Sequence, residues 1–198
     1  MILFGASGHA KVIIDILQKS NQSLDYLVDA NPSIEKLLNY EVKLDNGGNY
    51  ENDSVFISIG ANHVRKKIVS RLRSDFFSVI HPQSVIDDSV KIGVGTAVMA
   101  NAAINSSTAI GLHCIVNTNS SVDHDCVVES FVHISPGSTI CGGVSIGEGT
   151  QIGAGAIVIP NIIIGKWVTV GAGAVVIDHI PDRAVVVGNP GRIIKYND

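Results

Sequence analysis

From Ile80 onward, every sixth residue is isoleucine or valine: Ile80, Ile86, Ile92, Val98 and so on to Val170 and Val176, seventeen positions without a slip. An amphipathic helix repeats every 3.6 residues and a half-buried strand every 2, so neither explains the pattern. Four residues after each apolar position stands a small or β-branched residue, as at Thr96, Ala102, Thr108, Cys114, Ser120 and Cys126. Glycine often follows the isoleucine or valine directly, as at Gly93, Gly111, Gly147, Gly153, Gly165 and Gly171. This six-residue period predicts a parallel β-helix. Each hexad supplies one short strand and one corner, three hexads close a coil, and coils stack at about 4.8 Å. Residues 80–176 then give about five and a half coils with the isoleucines and valines pointing inward. Cys114 and Cys126 are expected to be small wall residues.

The first 75 residues follow other rules. "ILF" reads as a strand, "GASGH" as a turn and "AKVIIDILQKS" as an amphipathic helix. "LDYLVDANP" predicts a second strand ending at Asp29, "SVFISIG" a third, and "NHVRKKIVSRLR" a basic helix. Strand, glycine turn, helix and strand make a βαβ unit, so residues 1–75 are expected to form a small Rossmann-like α/β domain and residues 76–198 the β-helix with a C-terminal cap. The turn is not a full G-x-G-x-x-G, but Gly5 and Gly8 permit close backbone approach and the following helix points its first amides at an anion. Asp29 and Gly60 fall at the carboxyl ends of strands, where open α/β sheets bind ligands. The other reading is a domain that only packs against the prism.

Charge and composition narrow the partners. The net charge is −4, and no basic block suggests nucleic acid. No stretch approaches the length of a membrane span. The three cysteines, Cys114, Cys126 and Cys141, read as free thiols in a reducing compartment. With no charged leader ahead of "MILFGASGHAKV", a cytoplasmic protein is expected.

One stretch breaks the apolar monotony. "SSVDHDCVV" sets His124 between Asp123 and Asp125. His124 is the third residue of its hexad, off the inward row and near a corner, so it should face a surface groove. An imidazole titrates near neutrality and accepts a proton readily. A neighbouring carboxylate fixes its tautomer, a role open to either Asp125 or Asp123. Eighteen residues further on lies Gly142, whose bare Cα leaves room for an acyl donor and whose amide is available to a developing oxyanion. Together these residues suggest acyl transfer with His124 as base. Ser120 and Ser121 read as wall residues rather than nucleophiles. His113, His124 and His133 fall on different hexads without a close pair, so no metal is expected. Trp167 and the tail "PDRAVVVGNPGRIIKYND" lie at the open end of the prism and should cap it, with Arg183, Arg192 and Lys195 available to phosphates or simply to solvent.

"FGASGHAKV", "SIGANHVRKKI", "SSVDHDCVV" and "VGNPGR", in that order along the whole chain, resemble the bacterial hexapeptide acyltransferases of the nucleotide-sugar kind. These include N-acetyltransferases of 4-amino-4,6-dideoxy sugars linked to UDP, GDP or dTDP and the related sialic-acid O-acetyltransferases. The resemblance implies a left-handed β-helix, a homotrimer, and acetyl-CoA as co-substrate lying between neighbouring prisms. It implies His124 as general base tuned by Asp125, acetyl-CoA contacts at His133, Ala154 and Ala172, and nucleotide-sugar contacts at Ser7, Gly8, His9, Asp29, Ala30 and Gly60. The activity it implies is N-acetylation of a nucleotide-linked 4-amino sugar, UDP-linked in preference, for surface glycan or glycoprotein synthesis. Sugar O-acetylation is the alternative, and a non-catalytic scaffold that only binds a sugar nucleotide is a third reading.

Overall fold

The computed structural model describes residues 1–197. The chain opens with strand β1 (Ile2–Phe4), helix α1 (Gly8–Lys19) and strand β2 (Tyr26–Asp29). A short pair, β3 (Lys36–Leu37) and β4 (Tyr40–Leu44), precedes β5 (Ser54–Ile57), α2 (Asn62–Arg71) and β6 (Asp75–Phe76). The sheet order is β3-β4-β2-β1-β5-β6, parallel except for the β3–β4 pair. The chain therefore builds outward from β1 through β2 to β4 and then returns to the other side of β1 as β5. That reversal puts the carboxyl ends of β2, β1 and β5 at a topological switch point, the place where open α/β sheets form a ligand crevice. The sequence pattern anticipates β1, α1, β2, β5 and α2. It misses β3, β4 and β6, which are short and partly exposed and so carry little alternation.

The crevice depends on Gly5. Its φ of +112° lies where side chains are rarely tolerated, and a Cβ there would stand 2.6 Å from Ile59 Cγ1. The β1–α1 loop can pass close to β5 only because that atom is missing.

From Val79 the chain winds as a three-faced parallel β-helix of two-residue strands. Partners lie 18 residues apart, as Ala97 with Ile115 and Ser121 with Thr139. The first face carries Val79–Ile80 through Thr169–Val170, the second Val85–Ile86 through Val175–Val176, and the third Lys91–Ile92 through Ile163–Ile164. The six-residue clock fills the prism: Val122, Ile134, Ile140 and Val158 are each no more than 1% exposed. Ile80 is 43% exposed because it belongs to the first coil, which has no coil beneath it. Cys114 and Cys126 are buried wall residues, as expected.

The two parts of the chain share one apolar cluster. Leu3, Ala10, Ile13, Leu17 and Phe56 pack with Val79, Ala97, Met99 and Ile115, whose outward positions on the first face are thereby buried. The last strand of the N-terminal sheet ends at Phe76 and the first β-helix strand begins at Val79, with residues 77 and 78 between them. At the far end the strand Ala184–Val187 extends the first face beyond Thr169–Val170 and pairs with Arg192–Tyr196 as an antiparallel hairpin.

Candidate active site

The corner between the second and third faces carries the DHD triplet. Side chains of sequence neighbours normally diverge, but Asp125 has φ +57° and the corner turns its carboxylate back toward the preceding ring. His124 Nδ1 and Asp125 Oδ2 lie 2.7 Å apart. That contact fixes the tautomer with hydrogen on Nδ1 and leaves Nε2 as the basic atom. Asp123 does a different job: its Oδ1 accepts the His124 backbone N–H at 2.9 Å and the Asn105 amide at 2.8 Å. The structure thus assigns the orienting contact to Asp125. The His124 pKa is raised, first by the hydrogen bond to Asp125 and then by the charge of Asp123, while the ring stays open to solvent.

Gly142 follows one coil later, directly against the imidazole. A Cβ on Gly142 would sit 2.7 Å from both Cε1 and Nε2 of His124. The glycine makes room for the His124 ring itself, a more immediate demand than room for a ligand. Cys141 N–H and Gly143 N–H donate to Val158 O and His124 O, whereas the Gly142 N–H has no protein acceptor among the described residues.

Ala154 and Ala172 stand on another corner, between the first and second faces. Both are exposed, each followed by a glycine of positive φ with open space where a Cβ would be, Gly155 and Gly173. With Pro136 and Gly137 one coil earlier they form a smooth ridge. Within one chain a whole prism face separates this ridge from His124.

His133 is apart from both. It lies on the first face, where its Nδ1 is 3.3 Å from Gly60 O and its Nε2 3.0 Å from the Asn117 amide. Asn117 Oδ1 accepts the Thr118 N–H at 2.8 Å, so its NH₂ donates to His133 Nε2 and the histidine donates from Nδ1. The ring bridges the β5–α2 loop and the foot of the ridge. Burial, then Arg65, then His9 hold its pKa down at about 4, so it is neutral.

The crevice gathers the other expected residues. Ser7 and Gly8 are exposed at the start of α1, whose first turn carries no acidic residue and receives no side-chain cap. Asp29 Oδ2 accepts the Ala6 N–H at 2.7 Å and Oδ1 the Asn31 N–H at 2.9 Å, which ties the β1–α1 loop to the end of β2. Ala30 is exposed beside it. Gly8 and Gly60 have open space where a Cβ would be. His9 faces His133 with ring centroids 6.5 Å apart; burial, then Arg65, lower its pKa to about 4, and its Nε2 is buried without a partner.

Arg65, one of the bases of the helix "NHVRKKIVSRLR", is 1% exposed and holds the junction. Its guanidinium donates to His113 O, Ile59 O, Gly60 O, Phe131 O and Asn62 Oδ1 at 2.8–3.1 Å. Four of the five acceptors are main-chain carbonyls, which no sequence pattern reveals. Arg183 and Trp167 line a cavity of about 550 Å³ with His63, Gln151 and Thr169, between α2 and the first face.

Comparison with known proteins fits this arrangement. Residues 1–72 match the family model described as PglD N-terminal domain, and residues 143–178 match the bacterial transferase hexapeptide model. UDP-N-acetylbacillosamine N-acetyltransferase of Bacillus subtilis (strain 168) is 48% identical over 47 residues, a match spanning only 22% of this chain and 22% of that protein. A crystal structure of a histidine-to-asparagine variant of perosamine N-acetyltransferase from Caulobacter crescentus, in complex with CoA and GDP-perosamine, is 37% identical. It superposes with a TM-score of 0.94 over 98% of this chain and 96% of that one. The acetyltransferase domain of PglB from Neisseria gonorrhoeae FA1090, in complex with acetyl coenzyme A, is 32% identical with a TM-score of 0.89, covering 98% of both chains.

Proposed function

We infer the reaction from the family to which this chain belongs, the bacterial hexapeptide-repeat nucleotide-sugar acetyltransferases. The reaction class is acetyl transfer from acetyl-CoA to the amine of a sugar. The substrate we propose is a nucleotide-linked 4-amino-4,6-dideoxy sugar, UDP-linked in preference. The nucleotide lies in the crevice, its phosphates toward Ser7, Gly8 and the α1 amides, its base or ribose toward Asp29 and Ala30, and its sugar past Gly60. Acetyl-CoA lies along the Ala154–Ala172 ridge, with His133 where ridge and crevice meet.

The observation that carries the mechanism is the His124–Asp125 pair with Nε2 exposed over Gly142. The amine nitrogen attacks the acetyl carbonyl carbon and forms the C–N bond. His124 Nε2 takes the proton released from that nitrogen, while Asp125 stabilises the resulting imidazolium. The carbonyl oxygen gains charge against the Gly142 amide. The intermediate collapses by breaking the C–S bond, and CoA departs as the thiolate. No acyl-enzyme forms.

Base and ridge lie on different corners of one prism, so we propose that the site is completed between chains of a homotrimer. The first face is covered by the N-terminal domain, whereas the second and third leave Val85, Val127, Ile157 and Ile163 41–71% exposed. Such apolar faces are suited to a neighbouring prism.

The test is a panel of UDP-, GDP- and dTDP-linked 4-amino sugars, with the matching 4-hydroxy sugars, each given with acetyl-CoA. Acetylation of an amino sugar and not of its hydroxy counterpart supports the reading. Turnover of hydroxy sugars alone would replace it with O-acetylation.

A further inference from the structure

The DHD triplet holds two carboxylates, and the mechanism above uses only one. We propose that Asp123 and Asn105 form a second mount for the base, in which Asp123 pins the corner that presents His124 and adds a fixed negative charge beside it, and Asn105 holds that carboxylate in place. The proposal rests on His124 being the base.

The geometry is specific. Asn105 stands one coil before Asp123 and donates to its Oδ1 at 2.8 Å; the same oxygen accepts the His124 N–H at 2.9 Å. The main chain of Asp123 is held as well, since its carbonyl accepts the Thr108 hydroxyl at 2.7 Å and its N–H donates to Ile140 O at 2.9 Å. One carboxylate oxygen thus fixes the backbone of the base while the Asp125 carboxylate fixes its ring. Hydrogen bonds first from Asn105 and then from the His124 amide also lower the Asp123 pKa. The charged groups near the imidazole are Asp123 and Asp125, both of which raise its proton affinity; the adjoining coils present Ser106 and Gly142 at this position. The arrangement suits the proton transfer, because two carboxylates favour the imidazolium that forms when His124 takes the proton from the attacking amine.

Asp123→Asn is the informative variant. It keeps an oxygen for both hydrogen bonds and removes only the charge. The readout is the titration of the His124 ring by NMR on histidine-labelled protein without substrates, with the signal assigned through His124→Ala, and the pH profile of kcat/KM. Asp123→Asn is expected to lower the His124 pKa by about half a unit, the size of a charge interaction across a few ångströms of water. The acidic limb of kcat/KM should move with it. Asn105→Ala should shift both in the same direction by less, and Asp123→Ala should also lower the plateau rate by freeing the corner. An unchanged His124 titration in Asp123→Asn, or a uniform loss of rate without a shift, overturns the proposal. A His124→Ala enzyme of near-native kcat would instead overturn the assignment of the base, a result the ring titration does not depend on.

Discussion

Gly142 and His124 are in van der Waals register across one coil: the imidazole edge bearing Cε1 and Nε2 occupies the space that any side chain at 142 would fill. The clash would be with an exposed side chain rather than with backbone. Gly142→Ala is therefore expected to fold normally and to push the ring off its position. A displacement of this size at a reacting group costs about a hundredfold in rate. Steady-state kinetics and a thermal melt check this: kcat should fall about a hundredfold while the melting temperature and KM for acetyl-CoA stay close to native. A near-native kcat would show that the ring position is not critical.

His124→Ala should lower kcat by about 10²- to 10⁴-fold, the usual contribution of a positioned base. Folding should survive because the ring is exposed and off the inward row. Asp125→Asn should cost less, since the imidazole remains and only its orienting charge is lost. The pH dependence separates the two. Asp125 raises the His124 pKa, so in the native enzyme the rate should climb with pH through a value above the ordinary 6.5. In Asp125→Asn that limb should move down, and in His124→Ala it should vanish. A limb that survives in His124→Ala would belong to another group.

How much of this is legible in the sequence follows from the kind of interaction involved. The prism is legible because one side-chain type repeats at one spacing, and burial enforces it at Val122, Ile134 and Ile140 without exception. The contact of His124 with Gly142 is legible for the same reason: an 18-residue coil converts sequence spacing into contact. The crevice residues follow from the end of each strand. Arg65 is not legible, because four of its five acceptors are main-chain carbonyls, drawn from three separate segments. His133 stands out only through the family resemblance, and its bridge between Gly60 and Asn117 depends on how the two domains dock. The separate roles of Asp123 and Asp125 turn on the left-handed φ of Asp125, a backbone feature that no neighbouring residue announces.

The crevice should respond to size before charge. Gly8 has open space where a Cβ would be, so Gly8→Leu intrudes on the ligand and not on the protein. Its KM for the sugar nucleotide should rise about tenfold or more, with KM for acetyl-CoA little changed. Asp29→Ala is a harsher change, because it also frees the Ala6 and Asn31 amides and loosens the β1–α1 loop. It should raise the same KM and lower the melting temperature together. Calorimetry with UDP and GDP checks both variants; unchanged binding in Gly8→Leu would remove the crevice from the substrate path.

Acid should loosen the domain junction. His9, His113 and His133 each have a pKa of about 4, lowered first by burial and next by the neighbouring Arg65. In the unfolded chain each would titrate near 6.5. The unfolded state therefore binds more protons between these values, and folding stability is fully present above about pH 6.5 and is lost progressively as pH falls toward 4. Denaturant melts across this range should show that slope. His113→Leu removes one titrating group together with its unpartnered Nδ1, and should make the slope shallower. An identical slope in the variant would mean that His113 does not report on the junction.

The separation of base and ridge on one prism makes a prediction that single variants cannot test. If the site forms between chains, a His124→Ala chain still offers an intact ridge, and an Ala172→Trp chain still offers an intact base. Each variant alone should be nearly inactive. In a ring of three chains every mixed trimer contains one junction where an intact ridge meets an intact base. Random mixing makes three quarters of the trimers mixed and restores one site in three in each, so about a quarter of native activity should return. The chains are co-expressed with different affinity tags, and the doubly purified mixture is assayed beside each parent. Recovery in the mixture with none in the parents requires that neighbouring chains share the site. Activity no higher than the sum of the parents, in a mixture shown by light scattering to be trimeric, would place the whole site within one chain, and the exposed second and third faces would then need another explanation.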